Sequence, residues 1–130
     1  MLEVLIIDDN ESNILILEDL IQSYMKNNDI LEYNLTAFLD SPKALDHVQE
    51  NKVDIIFLDI MMPDINGFEF LDIVRQDNIE HQPIFVMVTA LQGKKFKEKK
   101  QELGANAFII KPVNDIQIKA ILDKYVAQIK

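Results

Sequence analysis

The sequence predicts an α/β fold, a doubly wound (βα)5 sandwich built on a five-stranded parallel sheet. Two observations carry this. Five short apolar runs recur along the 130 residues at intervals of roughly 25: Leu2–Ile7, Leu31–Phe38, Val53–Leu58, Ile84–Val88 and Ala107–Ile110. The gaps between them hold apolar residues at helical spacing. Strands alternating with helices imply a parallel sheet covered on both faces.

Each element has its own signal. The first run, LEVLII, has no basic segment before it and no small-residue cleavage site after it, so it reads as a strand and not as a signal peptide. Ser12 to Lys26 places Ile14, Leu17, Ile21 and Met25 on one stripe, with Glu18 and Gln22 opposite. The second run alternates, with Tyr33, Leu35 and Ala37 against Asn34 and Thr36, which suits an edge strand. The other four runs are nearly unbroken Ile, Val, Leu and Phe, the composition of strands buried on both faces. Ser41-Pro42 reads as a helix start, a hydroxyl cap followed by a proline in the first turn. Phe68, Leu71 and Val74 mark a third helix ending near Gln76. Gly93 to Leu103 is the weakest helix, with only Phe96 and Leu103 clearly apolar. Ile118, Ile121, Leu122, Tyr125 and Ile129 define the last, over Asn114–Ile129.

Composition narrows the function. A 130-residue chain buries enough surface to fold without staples, and it has no cysteine for disulfides or thiolate metal sites. The net charge of −9 argues against broad binding to nucleic acid. No apolar run approaches a membrane span. Residues 1–130 read as one cytoplasmic domain with no internal repeat or linker.

The residues that end the strands carry the chemistry. Right-handed crossovers bring all strand C-termini to one edge, where sites lie in such folds. The first run is followed by Asp8 and Asp9, the third by Asp59, the fourth by Thr89 and the fifth by Lys111. An acid after a strand is most often a helix cap; the set gathered at one edge is not explained that way. Three converging carboxylates repel unless a cation sits among them, and an all-oxygen donor set suits Mg2+ or Mn2+. An aspartate is already ionised near pH 7 and attacks without a general base. That matters because His47 and His81 lie away from the strand ends and read as solvated. Asp59 as nucleophile, with the cation, Lys111 and Thr89 stabilising charge on the transferred oxygens, fits phosphoryl transfer.

The segments IIDDNESN, FLDIMMPDINGFEF, VTAL and GANAFIIKP, in this order and spacing, resemble the receiver domain of two-component response regulators, with chemotaxis-type single-domain regulators as its simplest members. The resemblance covers essentially the whole chain and implies the flavodoxin-like strand order 2-1-3-4-5. It implies that Asp59 is the phosphoacceptor, that Asp8 and Asp9 hold Mg2+, and that the Met61 backbone carbonyl is a further ligand. It implies that Thr89 is the switch hydroxyl, Lys111 the phosphate-pairing lysine and Phe108 the switch aromatic, although Phe108 also reads as core packing. Pro112 matches a proline that often follows a cis bond. The implied partners are a histidine kinase or histidine phosphotransfer protein, a downstream target, and a second copy in a phosphorylation-linked homodimer. The implied role is a regulatory phosphoacceptor rather than an enzyme, read at a face made by the fourth predicted helix, the fifth strand and the last helix.

Two features set this chain apart. Met61 and Leu91, which flank the site, are both apolar, and residues 94–100 read KKFKEKK. Three other readings are weighed against this one. A flavin-binding module would want a hydroxyl- and glycine-rich loop where Asp8-Asp9-Asn10-Glu11 stands. An aspartyl-phosphate phosphatase would want an acid-spacer-acid arrangement that DDNES does not show. A degenerate, docking-only receiver would have lost a site residue, and none is lost.

Overall fold

The structure, a computed structural model, describes residues 1–77, 79–90 and 104–129. Five strands, β1 (Leu2–Ile7), β2 (Tyr33–Phe38), β3 (Ile55–Asp59), β4 (Ile84–Thr89) and β5 (Ala107–Ile110), form one sheet in the order β2-β1-β3-β4-β5. Every neighbouring pair is parallel. The described helices are α1 (Glu11–Asn27), α2 (Ser41–Glu50), α3 (Gly67–Gln76) and α4 (Asp115–Ile129). The expected doubly wound sandwich and its strand order are both present. The predicted helix over Gly93–Leu103 lies outside the described residues. Among the described residues, no helix is long and apolar enough to cross a membrane.

The side-chain period of two divides each central strand between two cores. Val4, Ile6, Ile55, Phe57, Val86, Val88 and Ile109 form one core with Ile14, Leu17, Ile21 and Met25 of α1 and Ile118 and Leu122 of α4. Leu5, Ile7, Ile56, Leu58, Phe85 and Met87 form the other, with Ala44 and Val48 of α2 and Phe70, Leu71 and Val74 of α3. β2 is the edge strand its alternation predicts, with half-buried and exposed residues only. A second tie joins the helices of the first layer. The Tyr24 hydroxyl donates to Asp123 at 2.7 Å, and burial followed by that carboxylate pushes its pKa up to about 12.

Several expectations need correction. The N-cap of α2 is Asp40, whose carboxylate accepts from the Lys43 N–H at 3.0 Å. Ser41 is thereby freed to donate its hydroxyl to the Pro63 carbonyl at 3.3 Å. Asn10 caps α1, accepting from the N–H groups of Ser12 and Asn13. In α3 the fully buried aromatic is Phe70, and Phe68 is half-buried.

The histidines are not simply solvated. His47 is half-buried with its ring centroid 5.3 Å from that of Phe38. His81 places Nε2 3.1 Å from Oδ1 of Asp54. Asp54 is a buried carboxylate at the sheet edge opposite the strand C-termini. Its Oδ2 accepts from the Glu3 N–H at 2.8 Å, and its own carbonyl accepts from the Ile84 N–H at 2.8 Å. One residue thus joins the starts of β1, β3 and β4. Asp54→Ala strands the Glu3 donor and is expected to cost about 2 kcal/mol in urea unfolding. Asp54→Asn, which keeps an acceptor, is expected to lose less.

Candidate functional site

The sheet order reverses at β1 and β3. From β1 the chain winds outward to β2 on one side; from β3 it continues to β4 and β5 on the other. The loops after β1 and β3 therefore diverge and leave a crevice between them. Asp8 and Asp9 follow β1, and Asp59 is the last residue of β3. Their carboxylate oxygens lie within 4.8 Å of one another. Asp8 and Asp59 are buried and Asp9 is exposed, so the cluster has a closed floor and an open mouth.

Lys111 reaches this floor from beyond β5. Its Nζ donates to Oδ2 of Asp8 at 3.2 Å and to Oδ1 of Asp59 at 3.4 Å. Its own backbone N–H donates to the Thr89 carbonyl at 2.8 Å, and the Lys111–Pro112 bond is cis. Thr89 ends β4 one residue beyond Val88, the partner of Asp59, and is fully buried. Phe108 pairs with Met87 in mid-β5 and packs, half-buried, on the second core. Met61 exposes its side chain and donates its backbone N–H to the Asp59 carboxylate.

The loop geometry follows from local chemistry. Oδ1 of Asp8 accepts from the Asn10 N–H at 2.9 Å, and Asn10 then caps α1, so the acidic pair is fixed by the start of the next helix. On the other side, Asn66 caps α3 through a reciprocal bond with Glu69. Gly67 begins that helix. A Cβ there would lie 2.5 Å from the Asp59 carbonyl oxygen and 2.7 Å from the Ile60 Cα. Only a bare backbone lets α3 rest directly against the Asp59 peptide.

Electrostatics singles out Asp59. Burial raises its pKa, the Asp8 charge raises it further, and Lys111 and the Met61 N–H partly offset both; the result is about 6. Three carboxylates share one ammonium, so the cluster has negative charge to spare for a cation. Its donors are all oxygen, which fits a hard divalent ion such as Mg2+.

Residues 4–123 match the family described as the response regulator receiver domain. The chain belongs to that family. This receiver domain is 32% identical over 118 residues to the response regulator PleD of Caulobacter vibrioides, covering 90% of this chain but 24% of PleD. It is 30% identical over 112 residues to the polar-differentiation response regulator DivK of Brucella anthropi, covering 85% of each. It superposes on the chemotaxis protein CheY4 of Vibrio cholerae with a TM-score of 0.80 at 26% identity, over 96% of this chain and 98% of that one. Receiver domains accept phosphoryl groups from histidine kinases and act as switches in two-component signalling. The chain spans about a quarter of PleD, so what a longer protein would do with this receiver is a separate matter.

The structure brings Asp8, Asp9, Asp59 and Lys111 together as the strand-end reading expected. Residue-by-residue reading missed Asn10, Gly67 and Asn66, which hold the loops in place. Asn before an acidic first turn is a capping signal that could have placed Asn10 and Asn66; the close approach at Gly67 has no local signature. The raised Asp59 carboxyl gives a stability signature. Between the ordinary carboxyl value and about 6, the folded metal-free chain binds more protons than the unfolded one, so stability falls as pH rises through that window. Asp59→Asn removes this effect. Above pH 6 the variant is expected to be more stable than wild type, by on the order of 1 kcal/mol once solvent screening is discounted. Near pH 4 the two should converge, as measured by chemical unfolding in the presence of a chelator.

Proposed function

We propose that this receiver is a phosphorylation-dependent switch in which Asp59 accepts the phosphoryl group of a phosphohistidine, with Mg2+ held by Asp8, Asp9 and Asp59. The donor would be a histidine kinase or a histidine phosphotransfer protein. The observation that carries the reading is the convergence of three carboxylates from two strands within 4.8 Å, with one lysine bridging two of them. Residues 1–130 form the functional unit in this reading, as a regulatory phosphoacceptor that supports its own phosphorylation and slow dephosphorylation.

In the transfer, a carboxylate oxygen of Asp59 attacks phosphorus. The P–N bond to the donor imidazole breaks, and the imidazole leaves with the electron pair. The product is an acyl phosphate on Asp59. Mg2+ in the acidic cluster, with the Met61 carbonyl as a further ligand and Mn2+ as a substitute, would supply positive charge to the phosphoryl oxygens. Lys111 already points its ammonium at Asp59 and meets the incoming oxygens as a point charge. Thr89, at the end of the adjacent strand, supplies a hydroxyl donor. Rearrangement of Lys111 and Thr89 then reaches β5 and Phe108 through the Lys111–Thr89 backbone bond.

With Mg2+ and acetyl phosphate, one phosphoryl group is expected on Asp59 by mass spectrometry, removable by hydroxylamine and absent in Asp59→Ala. Asp9→Ala should weaken Mg2+ affinity and phosphorylation together. Labelling that persists in Asp59→Ala would reject the acceptor assignment.

The output face in this reading comprises the segment around residues 94–100, β5 and α4. KKFKEKK lies outside the described residues, and its local charge of +4 leaves −13 on the rest of the chain. Such a distribution orients an acidic target or a second copy of the receiver. Replacing Lys95, Lys97 and Lys99 with Glu is expected to leave Asp59 phosphorylation intact while weakening association and its salt dependence, as measured by sedimentation at two ionic strengths.

A further inference from the structure

We propose that Asn106, held by Arg75, is a positioning residue for Lys111: it locks the register of β5 so that the lysine arrives beside Asp8 and Asp59. This rests on the reading above for its functional consequence, and on the sheet alone for the lock itself.

The need for a lock comes from the sequence of β5. Ala107, Phe108, Ile109 and Ile110 are all apolar, and the strand is four residues long at the sheet edge. Alternation of polar and apolar residues, which elsewhere fixes register by assigning each side chain a face, is missing here. Yet the register matters. A slip of one residue moves the chain by about 3.3 Å along the strand. That displacement is as large as the contacts Lys111 makes, 3.2 Å to Asp8 and 3.4 Å to Asp59. It would also exchange the faces of Phe108 and the buried Ile109.

Asn106 stands immediately before β5 and grips β4 from both sides of one residue. Its backbone N–H donates to the Phe85 carbonyl at 3.0 Å, and its side-chain oxygen accepts from the Phe85 N–H at 2.9 Å. Its own carbonyl accepts from the Tyr125 hydroxyl of α4 at 2.8 Å. Arg75, near the end of α3, holds the asparagine in this pose. Nη2 donates to the Asn106 side-chain oxygen at 2.9 Å and to the Gly104 carbonyl at 3.2 Å. Nη1 donates to the Pro83 carbonyl at 2.9 Å, and the guanidinium sits 4.9 Å from the centre of the Phe85 ring. The same cation therefore touches the segments leading into β4 and β5. Both ends of the β4–β5 pair are thus pinned, at Asn106–Phe85 and at Lys111–Thr89.

The test compares Asn106→Ala, Asn106→Asp and Arg75→Met, each alone and combined with Lys111→Ala. One readout is hydrogen exchange at the Lys111 amide relative to amides of β1 and β3. The other is the initial rate of Asp59 phosphorylation by acetyl phosphate. Asn106→Ala should lower Lys111 amide protection while β1 and β3 stay protected. It should slow phosphorylation by on the order of tenfold, the scale of a small misplacement of a reacting group. It should slow it no further in the Lys111→Ala background, because the effect passes through that lysine. Asn106→Asp, which keeps the acceptor, should restore both readouts. Arg75→Met should act in the same direction, and carries the comparison if Asn106→Ala does not fold. Full protection of the Lys111 amide in Asn106→Ala and Arg75→Met, or equal fractional slowing with and without Lys111, overturns the proposal. If wild type takes up no phosphoryl group on Asp59, the acceptor reading fails, and the exchange measurement still decides the lock.

Discussion

The ammonium of Lys111 lies between two buried carboxylates that would otherwise repel each other. Asp8 and Asp59 sit at the ends of adjacent parallel strands, and the strand register that builds the core also forces them together. Removing both from water is costly, and so is bringing two like charges close. Lys111 offsets part of that cost, but burial and the Asp8 charge still push the Asp59 carboxyl up to about 6. The remaining negative charge suits the cluster to a divalent cation, and the proposed phosphoryl transfer to Asp59 depends on that charge being met.

The rest of the fold holds this unfavourable arrangement in place. The two cores on either side of the sheet are continuous and apolar, and they fix the positions of β1 and β3. The helices that follow those strands begin at once. Asn10 and Asn66 cap them, and Gly67 lets the second press against the Asp59 peptide. The crevice is therefore walled by backbone whose hydrogen bonds are already committed. A switch is well served by this. In the proposed reading, charge added at Asp59 would be felt by Lys111, just beyond the edge strand β5, and by Thr89 at the end of β4.

The opposite edge of the sheet repeats the theme with a different aim. Asp54 is as buried as Asp8, but its oxygens are taken up by the Glu3 N–H and His81, so it acts as a tie between strands and not as a site. Two buried aspartates on one sheet thus differ in role because of their partners. Asp54 has the Glu3 N–H, His81 and, at 3.9 Å, the exposed Lys52 ammonium; Asp8 has the Asn10 N–H and Lys111 and must share the lysine with Asp59. In both, a partner comes from a different strand or loop.

The sequence by itself determined the strands, most of the helices and the acidic residues of the site. Apolar runs bounded by polar residues and alternating with helical stripes read as strands of a parallel sheet, and the polar residue that ends each run falls at the common edge. β5, read from the same signal as buried on both faces, is instead an edge strand with only Ile109 buried. Those signals are local or periodic, so they survive without knowledge of the fold. The cap of α2 fell one residue before the expected Ser41, at Asp40, because several oxygens near a helix start compete for the same N–H groups and geometry chooses among them. Asp54, Gly67, Arg75 and Asn106 were not legible at all. Arg75 meets Asn106 across 31 residues and Glu3 meets Asp54 across 51. Such pairings leave no period in the chain, and only the tertiary structure, by setting which distant groups are buried together, decided what those residues do.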